Sequence, residues 1–323
     1  MKKNSLAVRG GAPSNISCLL TRYDGGMEIL RTPDDRFADL PGFSFAANYL
    51  EDLAAAPGCR VHYIDEGPPD AEVTWLCLHG QPTWSYLYRK MIPVFVAAGH
   101  RVVAPDLVGF GRSDKPDDES VYTFDFHRNV LLEFVERLDL GNIRLVCQDW
   151  GGILGMTLPL DQADRYTGLL VMNTALGTGD VPLGEGFLAW RAYARSRPDM
   201  DIAGLMQRST SILSDAEADA YAAPFPDASY KAGVRRFPEL VPDHPDAPGA
   251  ALSRKARSWW QTDWQGKSFM AIGVQDPVLG VPAMQYLHKQ IRNCPPPLEL
   301  PEAGHFVQEW GESIAEKALL ELA

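Results

Sequence analysis

From about residue 60 onward, short unbroken apolar runs alternate with stretches of helical spacing. Val73 to Leu78 (V-T-W-L-C-L) ends at His79-Gly80 and predicts a strand buried on both faces. Arg101 to Pro105 predicts another, followed by the turn-rich D-L-V-G-F-G-R-S-D-K-P. Phe126, Val130, Leu131, Phe134, Val135 and Leu138 recur at helical spacing and predict an amphipathic helix that stops near Gly141. Ile143 to Cys147 predicts a third strand, Gly152 to Leu160 a helix, and Gly168 to Met172 a fourth strand. Buried strands separated by helices predict an α/β class fold with a mostly parallel central sheet covered on both faces.

The alternation then stops. Residues 174–250 are rich in Ala, Arg and aromatics, with Pro-rich joints and no buried-strand pattern. Strand patterns resume at Ser268 to Val274 and Pro297 to Leu300, and a last helix is expected from Glu312 to Leu322. The expected organisation is a core made of residues 27–173 and 251–323, a helical cap or lid of residues 174–250 inserted before the last core strands, and a loose extension of residues 1–26. An insertion at that point of an open α/β sheet sits over the C-terminal ends of the strands, where ligands bind.

Composition narrows the function. Apolar residues make up 46% and charged residues 22% of the 323, the balance of a globular chain. The net charge of -12 repels a phosphate backbone, so no nucleic-acid partner is expected. No apolar run approaches the roughly 18 residues of a membrane span, and none near the start resembles a signal peptide. Five cysteines without a CxxC pair fit free thiols in a reducing cytoplasm. The seven histidines form no HExxH or paired metal spacing, so no metal or other cofactor is expected. No feature asks for assembly, and a monomer is expected.

The sharpest local feature is V-C-Q-D-W-G-G, residues 146–152. A strand, a small-residue turn and a helix form the shape of a nucleophile elbow, with Asp149 at the position usually held by serine. Taken alone, Asp149 reads equally well as a helix cap. Two further segments favour the nucleophile. Asp276 ends a strand in V-Q-D-P-V-L-G, and His305 lies in the loop E-A-G-H-F after the next strand. Nucleophile, acid and histidine thus occur in the chain order of a strand-end triad. The backbone N–H groups of Gln81, in H-G-Q-P, and of Trp150 are candidates for an oxyanion hole.

An aspartate in that position has a chemical meaning. Serine attacking a saturated carbon would leave an ether, whereas a carboxylate leaves an ester that water can cleave. His305 would activate that water and Asp276 would hold the imidazole. The expected reaction is therefore displacement at an alkyl halide or an epoxide. A halide leaving group needs neutral N–H donors, which Trp150 and Trp190 can supply. An epoxide oxygen needs a proton donor, for which Tyr193, Tyr221 and Tyr230 are available in the cap. A ligand-binding protein that has lost catalysis is the third reading, and all three triad members are present against it.

The segments I-L-R-T-P-D-D-R-F, H-G-Q-P-T-W-S-Y-L-Y-R-K-M, Y-T-F-D-F-H-R-N, Q-D-W-G-G, A-Y-A-A-P-F-P-D-A-S-Y-K-A-G-V-R-R-F-P and A-G-H-F-V-Q-E resemble the haloalkane dehalogenases of the α/β-hydrolase superfamily, in the branch with a two-tryptophan halide site. The resemblance runs from about Met27 to the C-terminus. It implies Asp149 as nucleophile, His305 as base, Asp276 as acid, and Trp150 and Trp190 as halide donors. It also implies Phe187, Phe237 and Pro238 as pocket residues. The implied partners are a small to medium haloalkane, water and the halide product. Two departures stand out: Gln81 replaces the Glu of a close relative, and the start of the lid, residues 177–186, is short and Gly-rich. A more open pocket is expected.

Overall fold

A computed structural model describes residues 21–22 and 27–323. The expected loose extension therefore lies outside the described residues, apart from Thr21–Arg22, a two-residue strand that pairs antiparallel with Glu28–Leu30. Cys18 is outside them too.

Eight strands form the central sheet: β1 (Asn48–Leu50), β2 (Val61–Glu66), β3 (Thr74–Leu78), β4 (Arg101–Pro105), β5 (Ile143–Gln148), β6 (Tyr166–Met172), β7 (Lys267–Gly273) and β8 (Leu298–Leu300). Their order across the sheet is β8-β7-β6-β5-β3-β4-β2-β1. Only β2 runs against its neighbours. The order reverses around β3, which pairs with β5 on one side and β4 on the other, and clefts open at the strand ends where that happens.

The unbroken apolar runs form the centre. Trp75, Leu76, Cys77 and Leu78 of β3 are all fully buried. Trp75 stacks on Phe95 of helix α1 (Ile92–Ala97), with ring centroids 3.8 Å apart. Helix α2 (Phe124–Arg137) starts at Thr123, whose hydroxyl accepts from the Phe126 N–H at 3.0 Å. Helix α3 (Trp150–Gly155) departs from the expected Gly152 to Leu160. It ends early, and α4 (Pro159–Gln162) opens on Pro159. The proline ring has no N–H to continue α3 and would clash with the carbonyl of Gly155.

Strands β1 and β2 were not expected from the sequence. Val61–Glu66 mixes His, Asp and Glu with apolar residues because this antiparallel strand, next to the edge strand β1, is only partly buried.

Between Met172 and Lys267 the described residues contain no strand. They form α5 (Glu185–Arg195), α6 (Ile202–Ser209), α7 (Asp215–Ala222), α8 (Ala232–Leu240) and α9 (Ala250–Thr262). The Trp260 indole of α9 donates to the Met156 carbonyl at 2.7 Å. Arg89 joins α7 to the C-terminal part of the chain, with guanidinium bonds of 2.8 Å to Glu217 and of 2.6 and 2.8 Å to the buried Glu309. Helices α10 (Val281–His288) and α11 (Gly311–Glu321) complete the chain.

Candidate active site

Asp149 sits where β5 turns into α3, with φ 49° and ψ -126°. A non-glycine residue there carries backbone strain, about 1–3 kcal/mol, of the kind found at functional sites. It is the helix N-cap by position, yet its carboxylate makes no side-chain capping bond. Instead Oδ1 accepts the Gln81 N–H at 2.8 Å, and the Trp150 N–H also donates to the carboxylate. The carboxylate thus rests on the Gln81 and Trp150 N–H groups and makes no capping bond deeper in the helix.

Two glycines make room for this. A Cβ on Gly80 would strike the Asp149 carboxyl group, and one on Gly151 would strike the Leu78 carbonyl. The Gln81 amide side chain reaches the Val234 carbonyl of α8 at 3.0 Å and fixes the loop that carries the Gln81 N–H.

The three candidate triad residues converge. His305 Nε2 lies 3.7 Å from Asp149 Oδ2, and His305 Nδ1–H donates to Asp276 Oδ2 at 2.7 Å. Asp276 also accepts from Asn173 Nδ2 at 3.0 Å and from the Val278 N–H at 2.8 Å.

The charges are strongly coupled. Burial pulls the His305 imidazole down, but Asp276 and Asp149 outweigh it and push its pKa up to about 9. Burial raises Asp276, and the positive imidazole and its hydrogen bonds reverse this to a net lowering. Burial dominates at Asp149 and raises its pKa against the pull of His305 and the two backbone N–H groups.

A cavity of about 870 Å³ opens above the carboxylate, within the usual size for small-molecule sites. Asp149, His305, Trp150, Trp190, Phe187 and Pro238 all border it. Residues 175–179 and 181–187 lie on its wall, so this Gly-rich stretch shapes the opening.

Four other tryptophans spend their indole N–H on protein acceptors: Trp75 on His100, Trp84 on the Ala220 carbonyl, Trp260 on the Met156 carbonyl and Trp264 on Ser268. No described residue accepts from Trp150 or Trp190; Trp259 and Trp310 are in the same position, and only Trp310 of these two borders the cavity.

One expected pocket residue is placed elsewhere. Phe237 does not border the cavity; it is fully buried behind it. Its ring meets the Trp150 indole edge-on with centroids 4.8 Å apart, and also packs on Phe110 and His127. Helix α8 turns the neighbouring Pro238 to the cavity instead, because adjacent helix positions point about 100° apart. The cap tyrosines are also away from the cavity wall. Tyr221 is buried with its hydroxyl on Glu309, Tyr193 receives a bond from Arg208, and neither they nor Tyr230 border the cavity.

Sequence reasoning missed three residues of the site. Asn173, just past β6, ties Asp276 to the Gly273 carbonyl and N–H. Thr174 Oγ1 donates to the Asp149 carbonyl at 2.6 Å. Gln148, directly before the elbow aspartate, reaches His305. The available signal was the switch from an apolar run to polar residues at the C-terminal ends of β5 and β6. Among the described residues, no group of three or more His, Cys, Asp or Glu is placed to hold a metal ion.

Comparison with known proteins agrees with this geometry. The family model for the alpha/beta hydrolase fold matches residues 75–312. A haloalkane dehalogenase of Psychrobacter cryohalolentis is 46% identical over 303 residues, 90% of this chain and 96% of that protein. One from Mycobacterium marinum is 44% identical over 299 residues, 91% and 99% of the two chains. Among solved structures, the haloalkane dehalogenase of Paraglaciecola agarilytica, described as tetrameric, matches with a TM-score of 0.89 and 52% identity over 90% of this chain and 98% of that one.

Proposed function

The chain belongs to the haloalkane dehalogenases, hydrolases of the α/β-hydrolase fold that act on carbon–halide bonds, and on that footing we propose how its own residues carry the reaction. Asp149 Oδ2 attacks the halogen-bearing carbon from the side opposite the halide. The carbon–halogen bond breaks with its electron pair, and the halide leaves toward the indole N–H groups of Trp150 and Trp190. The product is an alkyl ester on Asp149.

Water then loses a proton to His305 Nε2 and its oxygen adds to the ester carbonyl carbon. The oxygen held by the Gln81 and Trp150 N–H groups takes the negative charge. Collapse of this adduct breaks the bond to the alkoxy oxygen, which takes the proton from His305 and leaves as the alcohol, and the regenerated Asp149 carboxyl group loses the second proton of the water to solvent. Asp276 holds the imidazole throughout and stabilises its charged form.

Esterification also switches the base on. The Asp149 charge is one of two that hold a proton on His305, and alkylation removes it. A neutral imidazole then faces the ester in the step that needs one.

The observation that carries this reading is the division of the Asp149 carboxylate. One oxygen is anchored by the Gln81 N–H and the other is turned toward His305, 3.7 Å away. Residues 174–250 are taken as the cap and the rest as the core. A single chain supplies every group named, so we take the monomer as the catalytic unit; size-exclusion chromatography against the tetramer described for the Paraglaciecola protein tests that part. The free thiols of Cys59, Cys77, Cys147 and Cys294 support a cytoplasmic setting, and none of the described helices is long and apolar enough to cross a membrane.

The test is halide release from 1-bromobutane or 1,2-dibromoethane by the wild type, with His305→Phe examined by intact-protein mass spectrometry. His305→Phe should release about one halide per chain and gain the mass of one alkyl group. No added mass on a folded His305→Phe variant after halide release would refute the covalent route, and inactivity on halides alongside epoxide turnover would refute the substrate class.

A further inference from the structure

Gln148 is fully buried at the end of β5, next to the elbow, and the reaction steps above do not use it. Its amide nitrogen lies 2.9 Å from His305 Nε2 and donates to the His305 carbonyl at 3.0 Å. Its amide oxygen is buried and has no hydrogen-bond partner among the described residues. The orientation is fixed by the carbonyl contact, because only the nitrogen end can donate to a carbonyl.

His305 Nδ1–H is committed to Asp276, so in the neutral ring Nε2 carries a lone pair. The second amide N–H of Gln148 points at that lone pair. A proton on Nε2 would set two donors against each other at the same distance.

We propose that Gln148 is a positioning residue that selects the neutral, Nδ1–H form of His305, so that the base is ready when the ester forms. The assignment rests on the dehalogenation steps proposed above.

The two carboxylates work in the opposite direction. Asp149 from the elbow and Asp276 from the loop after β7 both favour the charged ring. Glu302, on the His305 loop itself, is exposed, and Arg208 of α6 borders the same cavity and donates to Tyr193. Gln148 is thus an uncharged group at bonding distance that opposes protonation. It yields its place at Nε2 when water takes it.

The experiment uses Gln148→Met, which keeps the length and removes both donors, and Gln148→Glu, which replaces a donor with an acceptor. Halide burst in single turnovers reads alkylation, which does not use His305. Steady-state kcat against pH reads ester hydrolysis. The burst rate should change less than kcat in Gln148→Met. The acid limb of the kcat profile should move to higher pH in Gln148→Met by about one pH unit, the equivalent of one ordinary hydrogen bond. It should move further in Gln148→Glu. An acid limb that stays in place in Gln148→Met, or a loss of kcat uniform across pH, would overturn the assignment, and Gln148→Met gives this answer even if Gln148→Glu fails to fold. Absence of a halide burst from the wild type would instead overturn the dehalogenation reading beneath it.

Discussion

Replacing Trp150 by phenylalanine isolates the halide donor. Trp150 is 3% exposed, packs edge-on against Phe237, and borders the cavity beside the nucleophile. Its indole N–H has no acceptor among the described residues, so Trp150→Phe orphans no protein group. The stability loss is confined to the smaller ring, about 1 kcal/mol by the usual cost of removed buried atoms.

Halide release is different. The departing halide gains negative charge in the transition state, and a hydrogen bond to a charged group contributes about 1.5–3 kcal/mol. At about 1.36 kcal/mol per factor of ten, the alkylation rate should fall roughly 10- to 150-fold. Rapid-quench halide release with 1-bromobutane measures it, and thermal unfolding checks the fold. Trp84→Phe is the control: its indole N–H bonds the buried Ala220 carbonyl, so stability should fall while the alkylation rate stays. The reasoning is refuted if Trp150→Phe keeps the wild-type alkylation rate, or if Trp84→Phe loses rate to the same degree.

Three further outcomes are expected. Gly80→Ala puts a methyl group against the Asp149 carboxyl, so alkylation should fall by at least tenfold while urea unfolding shows a cooperative fold; a rate equal to wild type would contradict the close approach. Asp149→Asn imitates the uncharged ester, and an NMR titration of His305 should show its midpoint below that of the wild type, where the charged pair holds it near 9; an unchanged midpoint would contradict the charge switch. Asp106 is fully buried, and His62 with the Ser85 and Arg112 N–H groups outweighs its burial and holds it at about 2. Because the folded value is depressed from 3.8, this group contributes about 2 kcal/mol of stability that is present above pH 3.8 and lost as pH falls through 2. Urea unfolding at a series of acid pH values should show that decline, and Asp106→Asn should flatten it.

The six strands expected from apolar runs are all present, within two residues at each end. Runs such as Thr74–Leu78 are buried on both faces and leave no competing reading. Val61–Glu66, the antiparallel strand next to the edge, was missed because only half of its side chains are buried and its apolar pattern is broken by His, Asp and Glu. Asp149, Asp276 and His305 were singled out because each follows the C-terminal end of a strand, directly or in the loop after it, and those ends lie on one side of a parallel sheet. Fold class and candidate trio are thus written locally, in runs and turns a few residues long.

What the chain order could not supply is which side chains spend their polar atoms elsewhere. Eight tryptophans look alike in the sequence, and packing alone separates the indoles bonded to protein acceptors from Trp150 and Trp190. The same holds for the cap tyrosines, kept from the cavity wall, and for Phe237, turned behind Trp150 by its position on α8. Gln148 and Asn173 acquire partners 157 and 103 residues away. Hydrogen bonds over such distances depend on how helices and strands are stacked, and that is settled only when the whole core closes.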